Sequence, residues 1–184
     1  MALINTTTTG VLGSTFFGDG TGSLTVQQNG VTLGTYGNIP AFRAYPTSNI
    51  TLAYNTLTKV TLGTEEYDTN NNFASSTFTP TIAGYYQISG TLYWTGTSGR
   101  NYVVACYIHK NGAIYKRNAI SITSLGSAGD WSNEINSLVY CNGTTDYIEF
   151  YAYEVDYSSS STILINGASS GQYSSFSGIL IKAA

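Results

Sequence analysis

The chain has 184 residues, of which 42% are apolar and only 9% charged, with a formal net charge of −3. Soluble proteins average about 25% charged residues, so long solvent-facing helices rich in Lys, Glu and Arg are excluded as the main framework. Seven basic residues leave no electrostatic footprint for nucleic acid or anionic membranes, and no apolar run is long enough to span a bilayer as a helix.

Residues 1–38, read as one unit, are rich in Thr and Gly and carry a single charge, Asp19. Val11, Leu12, Phe16, Phe17, Leu24 and Val26 are its apolar points, in brief strands, with a turn at Gly30. The segment has too little apolar mass to fold alone. It reads as an extended arm that gains order on a partner, and those six residues are the candidate contacts. Its start lacks a basic stretch followed by a long apolar one, so no secretory signal is expected.

From residue 39 the texture becomes strand, turn, strand. Thr, Tyr, Val and Ile suit a pleated, half-buried surface. Glu65, Glu66 and Asp68 form an acidic loop, read as solvated, that could offer oxygen ligands to calcium. In "GYYQISGTLYW" Tyr86, Ile88, Leu92 and Trp94 fall on one side and Tyr85, Gln87, Ser89 and Thr91 on the other, the period of a strand with one core face. Asn111-Gly112 marks the tip of a hairpin, because that pair suits the positive φ values of a type I′ turn. His109 beside it reads as an exposed hairpin residue. Two strands about Gly143 and two more in "STILINGASSGQYSSFSGILI" follow. Short strands with regular Gly and Asn punctuation indicate an all-β sandwich or barrel.

Three passages resemble the globular heads of the first complement component and their tumour-necrosis-factor-like relatives. "FTPTIAGYYQI" supplies Phe78, Gly84 and Tyr86 of the signature, with Ile88 where Phe is usual. "NGTTDYIEFYAY" resembles the family's Gly-Asp-x-Val strand, and "SSFSGILI" supplies Phe176, Ser177, Gly178 and Leu180. The match covers residues 41–182. It departs from the family at Gly90, where an aromatic is usual, and in having no collagen-like stalk. The resemblance implies a jelly-roll sandwich of about ten antiparallel strands, residues 39–184, that assembles as a homotrimer through aromatic and aliphatic side chains. Tyr85, Tyr147, Tyr151 and Tyr153 are the candidate interface residues, since a tyrosine buries its ring and keeps a hydrogen bond.

The Thr/Gly-rich leader before such a head also looks like a bacteriophage virion protein. On that reading the chain is a capsid decoration protein made in the host cytoplasm and carried on the particle exterior. Its partners are its own copies and the major capsid protein. The alternative is a fibre tip that recognises a host glycan or surface protein, with Tyr93, Trp94, Trp131 and Tyr157 as candidates to stack on sugars, although Trp94 and Trp131 fit the core equally well.

Catalysis is not expected. "GASSG", Gly167 to Gly171, has the nucleophile-elbow pattern, but a strand follows it and the only histidine lies upstream. "GDGTG", Gly18 to Gly22, lacks the full dinucleotide-binding pattern. Cys106, Cys141 and His109 lack metal-ligand spacing. The two cysteines could pair, but read as separate, inert thiols. No cofactor is expected. The sequons at Asn5, Asn49 and Asn142 read as incidental.

Overall fold

The computed structural model describes residues 14–18, 24–28, 31–36, 39–123, 129–158, 163–168 and 173–184. The chain divides into two compact units, Met1–Ile39 and Pro40–Ala184. In the first, β1 (Ser14–Gly18), β2 (Leu24–Gln28) and β3 (Val31–Tyr36) pair as a three-stranded antiparallel sheet. The leader is therefore not a single extended strand: short Thr- and Val-containing stretches satisfy one another's backbone groups. The register sets Phe16 opposite Val26 and Leu24 opposite Tyr36, whereas Phe17 stands opposite Thr25. Val11 and Leu12 lie outside the described residues.

The second unit, the head, opens with β4 (Ala41–Tyr45), β5 (Ile50–Thr51), β6 (Thr58–Lys59), β7 (Thr64–Asp68), β8 (Phe73–Ala74) and β9 (Thr77–Phe78). Five long strands follow: β10 (Gly84–Gly96), β11 (Tyr102–Lys110), β12 (Ala113–Ile122), β13 (Gly129–Cys141) and β14 (Ile148–Asp156). Next come β15 (Leu164–Ile165) and β16 (Ser175–Ala183). All pairings are antiparallel. One sheet runs β13–β10–β16–β4–β7, with β15 and then β5 beside the far end of β10. The other runs β12–β11–β14, and β14 is bordered by β9 and β8 at its start and by β6 further along. Among the described residues there is no helix.

The alternation expected of "GYYQISGTLYW" holds along the whole of β10, where every second residue from Gly84 is buried. Asn111 (φ 54°) and Gly112 (φ 76°) both take positive φ at the β11–β12 tip, the combination a type I′ turn requires. The core between the sheets is aromatic. The Phe42 ring lies 4.7 Å from Phe73 and 4.4 Å from Phe78, and Phe150 stacks on Phe176 at 5.1 Å with an interplanar angle of 4°.

Gly90 lies directly under that last pair. A Cβ there would sit 2.5 Å from Phe150 Cε2, and Phe150, itself fully buried, is held by Phe176. The absence of a side chain at this position leaves space that Phe150 fills. Gly90→Ala is expected to destabilise the head by about 1–3 kcal/mol, the usual cost of overpacking, seen as a lower urea midpoint with an unchanged slope.

Candidate functional site

The residues that carry the family resemblance are packing residues. Phe78, Tyr86, Ile88 and Phe176 are fully buried. The Tyr86 hydroxyl donates to the Ile82 carbonyl at 2.7 Å, and burial pushes its pKa up to about 12. Gly84 and Gly178 mark close approaches: a Cβ on the first would meet the Lys182 carbonyl, and one on the second would meet Phe42 and Ile88. Leu180 is partly buried against the core and Ser177 half-buried on β16. None of these eight offers chemistry to a ligand.

The outward faces differ sharply from each other. On the first sheet the register places Tyr140, Tyr85 and Lys182 in one row across β13, β10 and β16, and Leu138, Gln87 and Ile179 in the next. Leu138 is 51% exposed, Ile179 43% and Ile181 60%. Tyr85 and Tyr140 face each other at 5.4 Å. These exposed aliphatic and aromatic side chains form a cluster on the outward face of the first sheet. Further along the same face the rows turn polar, with Asn136, Ser89, Ser177 and Arg43.

Tyr151 and Tyr153 lie on the opposite flank of the sandwich, on the outward row of β14, and Tyr147 immediately precedes that strand. The four candidate tyrosines thus do not share a face. These three are half-buried, and two already have partners within the subunit. The Tyr153 hydroxyl donates to Asn55, and that of Tyr151 to Glu149 at 3.3 Å. Glu149 also accepts from Lys59 at 2.8 Å and Thr77 at 3.3 Å. Burial raises the pKa of both tyrosines, so their hydroxyls stay protonated donors. The apolar surface is therefore concentrated on the first sheet. Leu138, Tyr140, Ile179 and Ile181 were not singled out in the sequence. The alternation in "SLVYC" carried the signal for Leu138 and Tyr140, because Val139 and Cys141 between them are buried.

The edge of that sheet is closed by a seam. Four alternate carbonyls of β13 accept side-chain donors from β11 and β12: Glu134 from Asn118 at 2.6 Å, Asn136 from Lys116 at 2.5 Å, Leu138 from the Tyr115 hydroxyl at 3.1 Å and Tyr140 from Lys110 at 2.7 Å. Asn133 returns one bond to the Asn118 carbonyl at 3.3 Å. An open strand edge invites another strand. Here four of the carbonyls it would use are occupied.

Several expectations change. His109 is not an exposed hairpin residue. It is 5% exposed, stacked on Tyr151 at 4.1 Å and edge-on to Tyr107, because the tyrosines of this flank cover the central strand from outside. Burial holds its pKa below the ordinary value, with Glu149 acting in the opposite sense. Trp94 is fully buried and its indole donates to Asn133 at 2.7 Å. Trp131 packs on Tyr102 at 5.7 Å. Neither tryptophan is a free platform for a sugar, whereas Tyr157 is 71% exposed. Cys106 and Cys141 are unpaired and buried, and burial pushes their pKa values up to about 12 and about 11, which keeps them as thiols.

Glu65, Glu66 and Asp68 lie on β7 rather than in a loop. Asp68 accepts from the backbone of Asn70 and Phe73, and Glu66 pairs with Arg43. Among the described residues no group of three His, Cys, Asp or Glu side chains is placed to hold a metal. Residues 166–168 at the start of "GASSG" are irregular, and the strand β16 follows.

No protein-family model matches the chain, and no curated protein sequence matches it. Solved structures do. Eiger TNF from S. frugiperda superposes with a TM-score of 0.60 at 9% identity, covering 80% of this chain and 95% of its own. Murine APRIL gives 0.53 at 8% identity, covering 78% and 99%. The globular domain of zebrafish complement 1qA protein gives 0.48 at 12% identity, covering 79% and 99%. At such identities the likeness is one of fold, and it rests on the first two. The head is a jelly-roll sandwich of the tumour-necrosis-factor type.

Proposed function

We propose that the chain is a structural attachment protein: a homotrimer whose heads associate through the outward face of the first sheet and present three N-terminal units together. The observation that carries this reading is the exposed aliphatic and aromatic cluster of Tyr85, Leu138, Tyr140, Ile179 and Ile181. It lies next to a strand edge closed against simple strand addition. Burying the exposed half of such a side chain contributes about 1 kcal/mol, roughly half the value for full burial. Five per subunit, repeated around a threefold axis, offset the loss of translational and rotational freedom on association. A fold shared with TNF-like heads supports the same oligomer.

The role proposed for the trimer is decoration of a phage head shell, on its exterior. The N-terminal unit is separate from the head and almost without charge, so it is suited to lie on a protein surface. Three such units acting together convert weak single contacts into strong binding through effective concentration. A shell with local threefold positions is the matching receptor. The burial of Trp94 and the packing of Trp131 remove two of the four side chains on which a glycan-reading fibre tip was based, and decoration is the preferred role.

The test is binding of purified full-length protein to empty shells against a form lacking residues 1–38. The truncated head is expected to remain a soluble trimer and to lose saturable shell binding. Equal binding by both forms would end the decoration reading.

A further inference from the structure

Glu154 is a titratable group that the proposed role does not use. It stands on the inward row of β14 beyond Phe150 and Ala152, opposite Val104 of β11. The residue is 0% exposed, and neither carboxylate oxygen has a hydrogen-bond partner. Burying a carboxylate in this way is costly unless it is neutralised.

Among the described residues no cation is paired with the Glu154 carboxylate itself. Its own strand adds a second carboxylate, Asp156, 1% exposed. Arg100, from the 97–101 turn, is bonded to Asp156 at 2.8 Å. The inward side chains of β11 are Tyr102, Val104, Cys106 and Ile108, and those of β10 at this end are Leu92 and Trp94. Residues 46–57 and 163–168 contain no charged side chain.

The bonds of the segments that close this end leave the Glu154 carboxylate out. The Asn55 amide donates to the Glu154 carbonyl at 3.0 Å, and that of Leu52 to Ile163 at 3.5 Å. The Tyr153 hydroxyl donates to the Asn55 side chain. On the other side the Tyr157 amide donates to the Asn101 carbonyl and the Asn101 amide to the Ser158 hydroxyl, both at 2.9 Å.

We propose that Glu154 is a proton-controlled latch: while it is protonated the 52–57 and 97–101 segments close over the end of β14, and its ionisation admits water and releases them. Burial, followed by the charge of Asp156, pushes its carboxyl up from 4.5 to about 7. The closed form therefore binds the proton more tightly than the open form. Closure is favoured fully below about pH 4.5, weakens as the pH rises to about 7, and levels off above that.

Hydrogen exchange of the full-length protein tests this, with rates corrected for the intrinsic pH dependence of amide exchange. Between pH 5 and pH 8 protection of residues 52–57 and 97–101 is expected to fall by about 50- to 100-fold, from the linkage between those two pKa values. In Glu154→Gln it is expected to stay flat. His109, whose pKa burial lowers, is intact in that variant, so the comparison separates the two groups. An equal fall in both proteins, or none in the wild type, would overturn the latch. Should the variant fold poorly, the carboxyl ¹³C titration of Glu154 in the wild type decides: a midpoint near 7 supports the proposal and one near 4.5 refutes it.

Discussion

Phe42→Ala is expected to cost the head about 3–5 kcal/mol, the range for removing a fully buried aromatic ring. Phe42 is 0% exposed and touches three other rings, Phe73, Phe78 and Phe176, the last at 5.3 Å. Those rings come from β8, β9 and β16, so the contact joins both sheets and three separate stretches of chain. The surroundings cannot easily collapse into the gap. Phe78 is braced edge-on by Tyr86 at 5.4 Å, and Phe176 lies flat on Phe150. Gly178 has no side chain with which to fill it. Domains of this size are stable by about 5–15 kcal/mol in total, so a loss of this size is a large share. Urea unfolding followed by tryptophan fluorescence measures it, because Trp94 sits in the same core. A shift in free energy below about 1 kcal/mol would show that the ring cluster is not the centre of the fold.

The second large effect is expected at the outer face of the first sheet. Leu138→Glu combined with Ile179→Glu places two carboxylates in one row, on either side of Gln87, where the proposed trimer would bury them without counter-charge. Each substitution removes apolar burial worth about 1 kcal/mol per subunit and adds the desolvation of a charge. The assembly is expected to weaken by at least about a hundredfold, since each 1.4 kcal/mol is tenfold. The isolated head should lose little intrinsic stability, because both side chains face outward. A matched pair on the other flank, Tyr151→Phe with Tyr153→Phe, is expected to leave the oligomer unchanged: those hydroxyls bond within their own subunit. Sedimentation velocity across a dilution series reads both pairs. An unaffected trimer in the Leu138/Ile179 variant would move the interface elsewhere.

The parts of the fold that were legible in the sequence are those governed by local rules. The period of two in β10 and the Asn111-Gly112 turn follow from pleat geometry and from the φ values a hairpin tip demands. The Phe78, Gly84, Tyr86 and Phe176 pattern was readable because packing fixes both the ring and the space it needs. What stayed hidden depends on neighbours distant in the chain. His109 is hydrophilic and sits beside a turn, yet Tyr151 and Tyr107 enclose it; nothing within "YIHKNG" announces a ring 42 residues away. Tyr147, Tyr151 and Tyr153 were singled out by residue type. Type alone does not say which flank of a sandwich a strand occupies, and Tyr85 proves to be on the other one. Glu154 sits in an alternating strand where its inward parity was readable, but the absence of a partner shows only in three dimensions. The seam along β13 was invisible for the same reason: its donors come from β11 and β12.

The claim on which the functional reading turns is that three copies associate through the Tyr85, Leu138, Tyr140, Ile179 and Ile181 face. Sedimentation equilibrium of the full-length protein at micromolar concentration tests it most directly. A single species of three times the subunit mass, persisting on tenfold dilution, is the predicted result; a stable lone subunit over the same range would contradict it.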